Sequence, residues 1–452
     1  MKLTLLPSDK GDCMLLESPD NTAILIDGGM YDSYTGFVRQ FLGKWRQQNN
    51  RALDLVYVSH IDQDHIAGVL QLMNDTVDWR VFRHKKAKGE KWPKPDFLEP
   101  PQVSRVWHNA FHDIIGDNAG AIASMLAASA AQLSNSTNHV ERHIGAAYQA
   151  IATSVPEAIK LSARVSPKQL KIPLNKEFGG KLAMVRSPAQ QIRLNGPTSP
   201  LIRILGPFEK DLKEFRTKWN AWLKLKKNKA NLKRTRDFVR DEDARFDSGV
   251  MALDVDDDLG SRKLVTEENL ASLMLLVEQN GRRILLTGDG HYVDILEGLE
   301  HNGLVTSSGG FHVNVLKLQH HGSEHNFKRE FAKRVTADHY VICGNGRHEN
   351  PDLRVLQVLA ESRIGGPNDR SANPETGNAF HVWFNCSAKF LKRDVARRKT
   401  EGEPFKEYEA AAEHFVEIER DMKKYQTQSG GRLKVHYLDT NPLVLDLANP
   451  PN

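Results

Sequence analysis

The chain has 452 residues, 40% of them hydrophobic and 26% charged, with a formal net charge of +5. These numbers describe a soluble globular protein of one large domain or two to three ordinary ones, and the charge is too small for the length to identify a partner. Cys13, Cys343 and Cys386 lie far apart with no CxxC pair, which argues against a disulfide framework or a zinc ribbon and favours a reducing compartment. No run nears the ~18 apolar residues of a membrane span. MKLTLLPSDKGD leads into fold-like sequence without a signal-peptide core. The expected setting is the cytoplasm, with no membrane partner.

Residues 2–6 read as a strand, Gly11-Asp12-Cys13 as a turn, and residues 14–17 and 23–27 as two more strands. Gly28-Gly29 ends the third and suits a tight turn or a close backbone approach to a ligand. A helix over 34–47 and a buried strand over 53–58 complete a layered α/β opening. That strand runs into SHIDQDHIAG at 59–68, and Ile66, Val69, Leu70 and Met73 then recur at helical spacing. His60, Asp62, Asp64 and His65 therefore share one strand-to-helix turn. Imidazole and carboxylate at this density suit a pair of divalent metal ions. A helix cap at Asp62 or Asp64 would need one such residue, not four.

Residues 83–101 are polar and Pro-rich and read as a loop. Residues 103–107 read as a strand that delivers His108. From about 110 to 163 the chain is Ala-rich and helical in pattern, an insertion between core elements, and 201–207 return to strand. Over 209–240 twelve Lys/Arg face four acids, with Leu212, Phe215, Trp219 and Trp222 at helical spacing. The stripe reads as core and the charges as a solvated face, with a nucleic-acid surface as the functional alternative.

The last third resumes α/β order. Strands over 273–277 and 283–287 flank Asn280-Gly281 as a hairpin and end at Gly288-Asp289. A strand over 313–318 delivers His320-His321-Gly322-Ser323, and one over 339–343 delivers residues 344–348 with His348. A loop over 365–378, a strand over 379–385, a charged helix near 406–424 and a strand over 433–438 close the chain. Four apolar strands thus end in His or Asp, the place where open α/β sheets bind ligands. Asp27, just before Gly28, reads either as a turn residue or as a carboxylate that orients a ligand histidine.

SHIDQDHIAG, ILLTGDG, LKLQHHGSEHN and GNGRHENP resemble the metallo-β-lactamase fold, and more narrowly the metallo-hydrolase domain of the ComEC DNA-uptake family, whose HxDxDH form Asp62 matches. KGDCMLLES…AILIDGG and Asn269-Leu270-Ala271-Ser272 are similar to that family as well. The resemblance covers roughly 1–110 and 264–360. It implies an α/β, αββα sandwich split into a first core half (1–110), a mainly helical, partly basic insertion (111–263), a second core half (264–400) and a C-terminal extension (401–452). It also implies a two-metal site. His60, Asp62 and a downstream histidine would hold one ion; Asp64, His65 and another downstream ligand the second. His108 would be the middle ligand and Asp289 the bridge. His320 or His321 would complete the set, with the choice open. His348 would be a ligand or a substrate contact, and Ser323 with its turn would hold a phosphate oxygen.

The expected cofactors are two divalent ions, Zn2+ or Mn2+ with Mg2+ as a further option, because a carboxylate at position 62 makes the site harder. The expected function is a metal-dependent phosphodiesterase or nuclease working through a bridging hydroxide, with Asp64 and Asp289 as catalytic residues and nucleic acid held through 209–240. The alternative is a hydrolase of a small ester, thioester, lactam or phosphorylated metabolite. The insertion is expected to offer a surface for a protein partner or a lid.

Overall fold

The computed structural model describes residues 1–109, 157–158, 160–212 and 271–449. Two mixed sheets face one another. The first has the order β14-β1-β2-β3-β4-β5, from β1 (Lys2–Leu5), β2 (Met14–Glu17), β3 (Ala23–Ile26), β4 (Leu55–Tyr57), β5 (Val106–Trp107) and β14 (Leu443–Asp446). The second has the order β13-β12-β11-β10-β9-β8-β7-β6. Its strands are β6 (Gln191–Arg193), β7 (Leu201–Gly206), β8 (Met274–Gln279), β9 (Arg282–Leu286), β10 (Phe311–Lys317), β11 (Val335–Ile342), β12 (Phe380–Phe384) and β13 (Leu433–Tyr437).

Strand alternation sorts side chains between layers. In β3, Ile24 and Ile26 point between the sheets while Ala23 and Leu25 point outward under helices. The space between sheets is filled by Leu3, Leu5, Leu55, Tyr57 and Trp107 from one side and Leu275, Val277, Ile284, Leu286, Val315 and Val341 from the other. The outer face of the first sheet is covered by α1 (Arg39–Asn49), entered through a π-helical turn at Tyr34–Val38, and by α2 (Gln63–Ala87). The outer face of the second carries α3 (Tyr292–His301), α4 (Arg329–Arg334), α5 (Leu353–Ile364), α6 (Ala388–Glu401) and α7 (Lys406–Gln428). This is the αββα layering expected from the sequence.

Differences lie at edges. The stretch from 83, read as a loop, begins as the last turns of α2, which runs to Ala87. Residues 191–193 and 201–206, inside the stretch read as an insertion, pair with each other and extend the second sheet through β8. After residue 401 the chain adds β13 to one sheet and β14 to the other, so its end is built into both. Most of the basic segment 209–240, from 213 on, lies outside the described residues, as do residues 110–156. Among the described residues no helix is long and apolar enough to cross a membrane.

Candidate metal centre

Strands β3, β4 and β5 run parallel, as do β9, β10 and β11. Their carboxyl ends therefore gather on one edge of the sandwich. The turn from β4 to α2 carries His60, Asp62, Asp64 and His65; His108 follows β5; Asp289 follows β9; His320 and His321 follow β10. Asp62 takes the N-cap position of α2, but its side chain accepts no helix N–H. The N-cap of α3 is His291, not Asp289. Neither carboxylate is a helix cap.

Four of the five imidazoles converge on one oxygen, and His108 is not among them. Asp289 Oδ2 lies 3.5 Å from His60 Nε2, 3.5 Å from His65 Nε2, 3.7 Å from His320 Nε2 and 3.4 Å from His321 Nε2. Asp64 Oδ2 lies 3.4 Å from His321 Nε2, and Asp62 Oδ2 lies 3.6 Å from His60 Nε2. Both members of the pair His320-His321 thus turn to Asp289. Their backbones make this possible, with φ of 45° and 55° in the left-handed region.

The opposite ring nitrogens are held from behind. His65 Nδ1 donates to Asp27 Oδ2 at 3.0 Å, and Asp27 also accepts from the Ser59 N–H and hydroxyl. Asp27 sits at φ 54°, where Gly28 packs against the α2 backbone at Gly68 so closely that neither tolerates a Cβ. The glycine pair serves this helix contact. His60 Nδ1 meets Ser59 Oγ at 3.1 Å, and His321 Nδ1 donates to the Cys343 carbonyl at 2.6 Å. His320 Nδ1 donates to Asn326 Oδ1 at 2.8 Å, while the Asn326 amide donates to the Asp289 carbonyl.

Two residues that the sequence did not single out lie beneath. Asp12 Oδ1 is 3.3 Å from His321 Nδ1, and Asp12 Oδ2 is 2.5 Å from Lys317 Nζ. Lys317 Nζ also lies 3.6 Å from Asp289 Oδ1 and donates to the Gly288 carbonyl. Asp12 joins His65, Asp289 and His321 in one buried group whose ligand atoms are mutually close. Its carboxylate faces the Nδ1 side of the histidines and an ammonium, so it orients rather than ligates.

Electrostatics follow from this packing. Burial works against charge throughout, but His321, His65, His60 and His320 together hold Asp289 well below the usual carboxylate range. Asp64 is held low against burial by Lys10 first, then by His321 and His65. Burial, with His60 alongside, pulls His108 down to about 4, so its ring is neutral.

Among the described residues, His60 Nε2, Asp62 Oδ1 and both ring nitrogens of His108 are buried with no hydrogen-bond partner. Such atoms are expensive unless something bonds them. Nitrogen and carboxylate oxygen are the donors that divalent transition metals take. The residues present therefore fit a metal centre.

Two candidates stand apart. His348 is exposed on its turn, with Lys10, Arg347 and Asp64 as its charged neighbours. Ser323 is buried, and its N–H donates to the His320 carbonyl. That N–H is committed, so the expected hold on a phosphate oxygen does not use it.

No curated protein matches the chain. The family model of the metallo-beta-lactamase superfamily matches residues 7–125, a span that holds Asp12, Asp27, the 60–65 turn and His108. The αββα layering and the buried His/Asp cluster carry the same pattern past that span, to Asp289 and His321. Residues 7–125 thus match a metallo-beta-lactamase superfamily domain, and the buried His/Asp cluster is consistent with the metal site of a hydrolase of that superfamily.

Proposed function

We propose that the protein is a phosphodiesterase that holds two divalent ions. The observation that carries this is the convergence of four imidazole Nε2 atoms on Asp289 Oδ2, with Asp62 and Asp64 on either side. Charge supports the number of ions. Asp12, Asp27, Asp62, Asp64 and Asp289 are five carboxylates, and among the described residues Lys317 is the one ammonium buried with them. With the histidines neutral, as ligands must be, the remaining charge of minus four is what two divalent cations cancel.

His60, Asp62 and His108 would hold one ion and Asp64, His65 and His321 the other, with Asp289 between them and His320 beside it. Two ions in such a site lower the pKa of a shared water and offset charge on an attacked phosphoryl group. The chain's own work is orientation. Asp27, Ser59, Asp12 and the Cys343 carbonyl fix which ring nitrogen faces inward, and Lys317 holds Asp289 Oδ1 so that Oδ2 faces the histidines. The hard, carboxylate-rich donor set favours phosphodiesters and a Mn2+ or Mg2+ requirement beside Zn2+. The ComEC resemblance of the HxDxDH turn supports DNA as the polymer.

A second reading has its own observation. Beside Ser323 and His348 lies a groove of about 970 Å³ lined by Glu324, Glu349, Asp352, Glu407, Glu413 and Glu417 against only Arg347 and Arg354. That lining repels a long polyanion and favours a small phosphodiester or ester. Metal-reconstituted protein should be offered bis(p-nitrophenyl) phosphate, a DNA oligomer, nitrocefin and an acyl thioester. Phosphodiester turnover is expected to lead. Faster nitrocefin or thioester turnover overturns the phosphodiesterase reading, and bis(p-nitrophenyl) phosphate turnover without DNA cleavage selects the small substrate.

A further inference from the structure

The β1–β2 turn is pressed onto the metal centre. A Cβ at Gly11 would collide with the Asp64 carbonyl and side chain. The turn is internally tied, since the Gly11 N–H donates to the Ser8 carbonyl and the Ser8 hydroxyl donates to the Gly11 carbonyl. It is also tied outward, by Asn385 donating to Ser8 Oγ and by the Gly29 N–H donating to the Asp12 carbonyl. Its tip is Asp9 and Lys10. Asp9 turns to Asn345 and to Arg347, whose guanidinium is 3.7 Å away. Arg347 is further committed to Glu407 and to the Tyr408 hydroxyl and ring.

Lys10 is the other residue of the tip. Among the described residues its ammonium forms no ion pair and no hydrogen bond. It lies half-buried, and its two chain neighbours fix its place: Gly11 is pressed onto Asp64, and Asp9 reaches Arg347, the residue before the exposed His348. A cation without a partner among the described residues is therefore carried on a tied turn that packs against Asp64 on one side and Arg347 on the other.

We propose that Lys10 is a specificity-determining residue that contacts a non-bridging oxygen of an anionic substrate. This rests on the two-ion phosphodiesterase reading above. A centre whose five carboxylates are balanced by Lys317 and two divalent cations is neutral overall, so an incoming phosphodiester calls for one further positive charge. Lys10 supplies it, as a point charge of the kind that binds phosphate oxygens. A neutral ester gains nothing from the same ammonium, so Lys10 separates anionic from neutral substrates.

The test compares wild type, K10M and K10R as metal-reconstituted full-length protein. It measures kcat/KM for bis(p-nitrophenyl) phosphate and for p-nitrophenyl acetate, and inorganic phosphate affinity by titration calorimetry. For K10M, loss of a charge-assisted contact is expected to lower phosphodiester kcat/KM and phosphate affinity by about 10- to 100-fold. Acetate hydrolysis should change by less than about threefold, and K10R should recover most of the loss. Equal losses on both substrates, or phosphodiester turnover and phosphate affinity both within threefold of wild type, overturn the role of Lys10 and leave the phosphodiesterase reading standing. Wild type that cleaves only the neutral ester, with phosphate affinity still dependent on Lys10, overturns the phosphodiesterase reading and keeps Lys10 as the anion contact. Metal content equal in all three proteins shows that the variants report on substrate; loss of metal in K10M and K10R alike overturns the proposal by making Lys10 part of the scaffold.

Discussion

The two proposed ion sites, taken as halves of one centre, are built differently. In the half formed by Asp64, His65 and His321, each imidazole has an acceptor behind it: Asp27 for His65, the Cys343 carbonyl and Asp12 for His321. In the half formed by His60, Asp62 and His108, His60 leans on a serine hydroxyl, and among the described residues both nitrogens of His108 lack a partner. Among the described residues His108 is fixed through its backbone, where Asn175 accepts its N–H and donates to its carbonyl. Carboxylate and carbonyl acceptors lock a ring's tautomer and raise its basicity as a ligand. One half is thus organised before an ion arrives, and the other takes shape around one. The difference predicts unequal affinity, with the Asp64 half tighter.

The largest effect should come from the organised half. Asp64→Asn removes a ligand charge while keeping side-chain size, and turnover should fall by about 1,000-fold or more, a loss of several kcal/mol in charge stabilisation. Circular dichroism should stay near wild type; activity within threefold would remove Asp64 from the centre. His108→Ala strikes the other half. Elemental analysis should then find close to one ion per chain instead of two, with the Asp64 half still loaded. Joint loss of both ions would show that the halves are not independent. Asp27→Asn leaves every ligand in place but weakens the hold on His65, so affinity of the tighter ion should fall by about 10- to 100-fold. An unchanged titration would return Asp27 to the role of a turn residue.

The smallest effect lies outside both halves. Burial first, and the Glu324 and Glu349 carboxylates with it, push Asp352 up to about 7, against the Glu324 N–H that its Oδ2 accepts. The fold therefore keeps a proton that the unfolded chain loses near pH 4. Ionising Asp352 costs stability as pH rises from about 4 to 7, and the cost is complete above that. Asp352→Asn should raise the thermal midpoint of metal-free protein at pH 8 and leave it unchanged near pH 4, by calorimetry. Equal shifts at both pH values would assign the effect to packing instead.

Much of the core was legible because its strands are short, continuous apolar runs. Met14–Glu17 appears as expected, and Ala23–Ile26 ends one residue before Asp27. Helices α3 to α6 and strands β6 and β14 were not read from the sequence, and the strand expected over 103–107 shortens to the two residues of β5. The residues that cluster were visible where ligand types crowd a strand end, as at 60–65 and 320–321. Asp12 and Lys317 were not. An aspartate after a glycine looks like turn chemistry, and a lysine ending a strand looks solvent-facing. Only the tertiary fold, which places β10 beneath the β1–β2 turn, shows that the two form a buried pair. The choice between His320 and His321 was open for a local reason, since adjacent residues normally point apart and only a doubly left-handed backbone aims both at Asp289.

That doubly left-handed pair carries a consequence of its own. A non-glycine residue in this region costs on the order of 1–3 kcal/mol, and here two stand in succession. Glycine would sit there at ease and tighten the empty scaffold, but it would remove an imidazole. The chain has settled on a weaker scaffold that keeps both imidazoles beside Asp289, a trade of durability for chemistry. Its resistance to heat should therefore be read as a property of the loaded protein, with ion supply setting how much of the folded population survives.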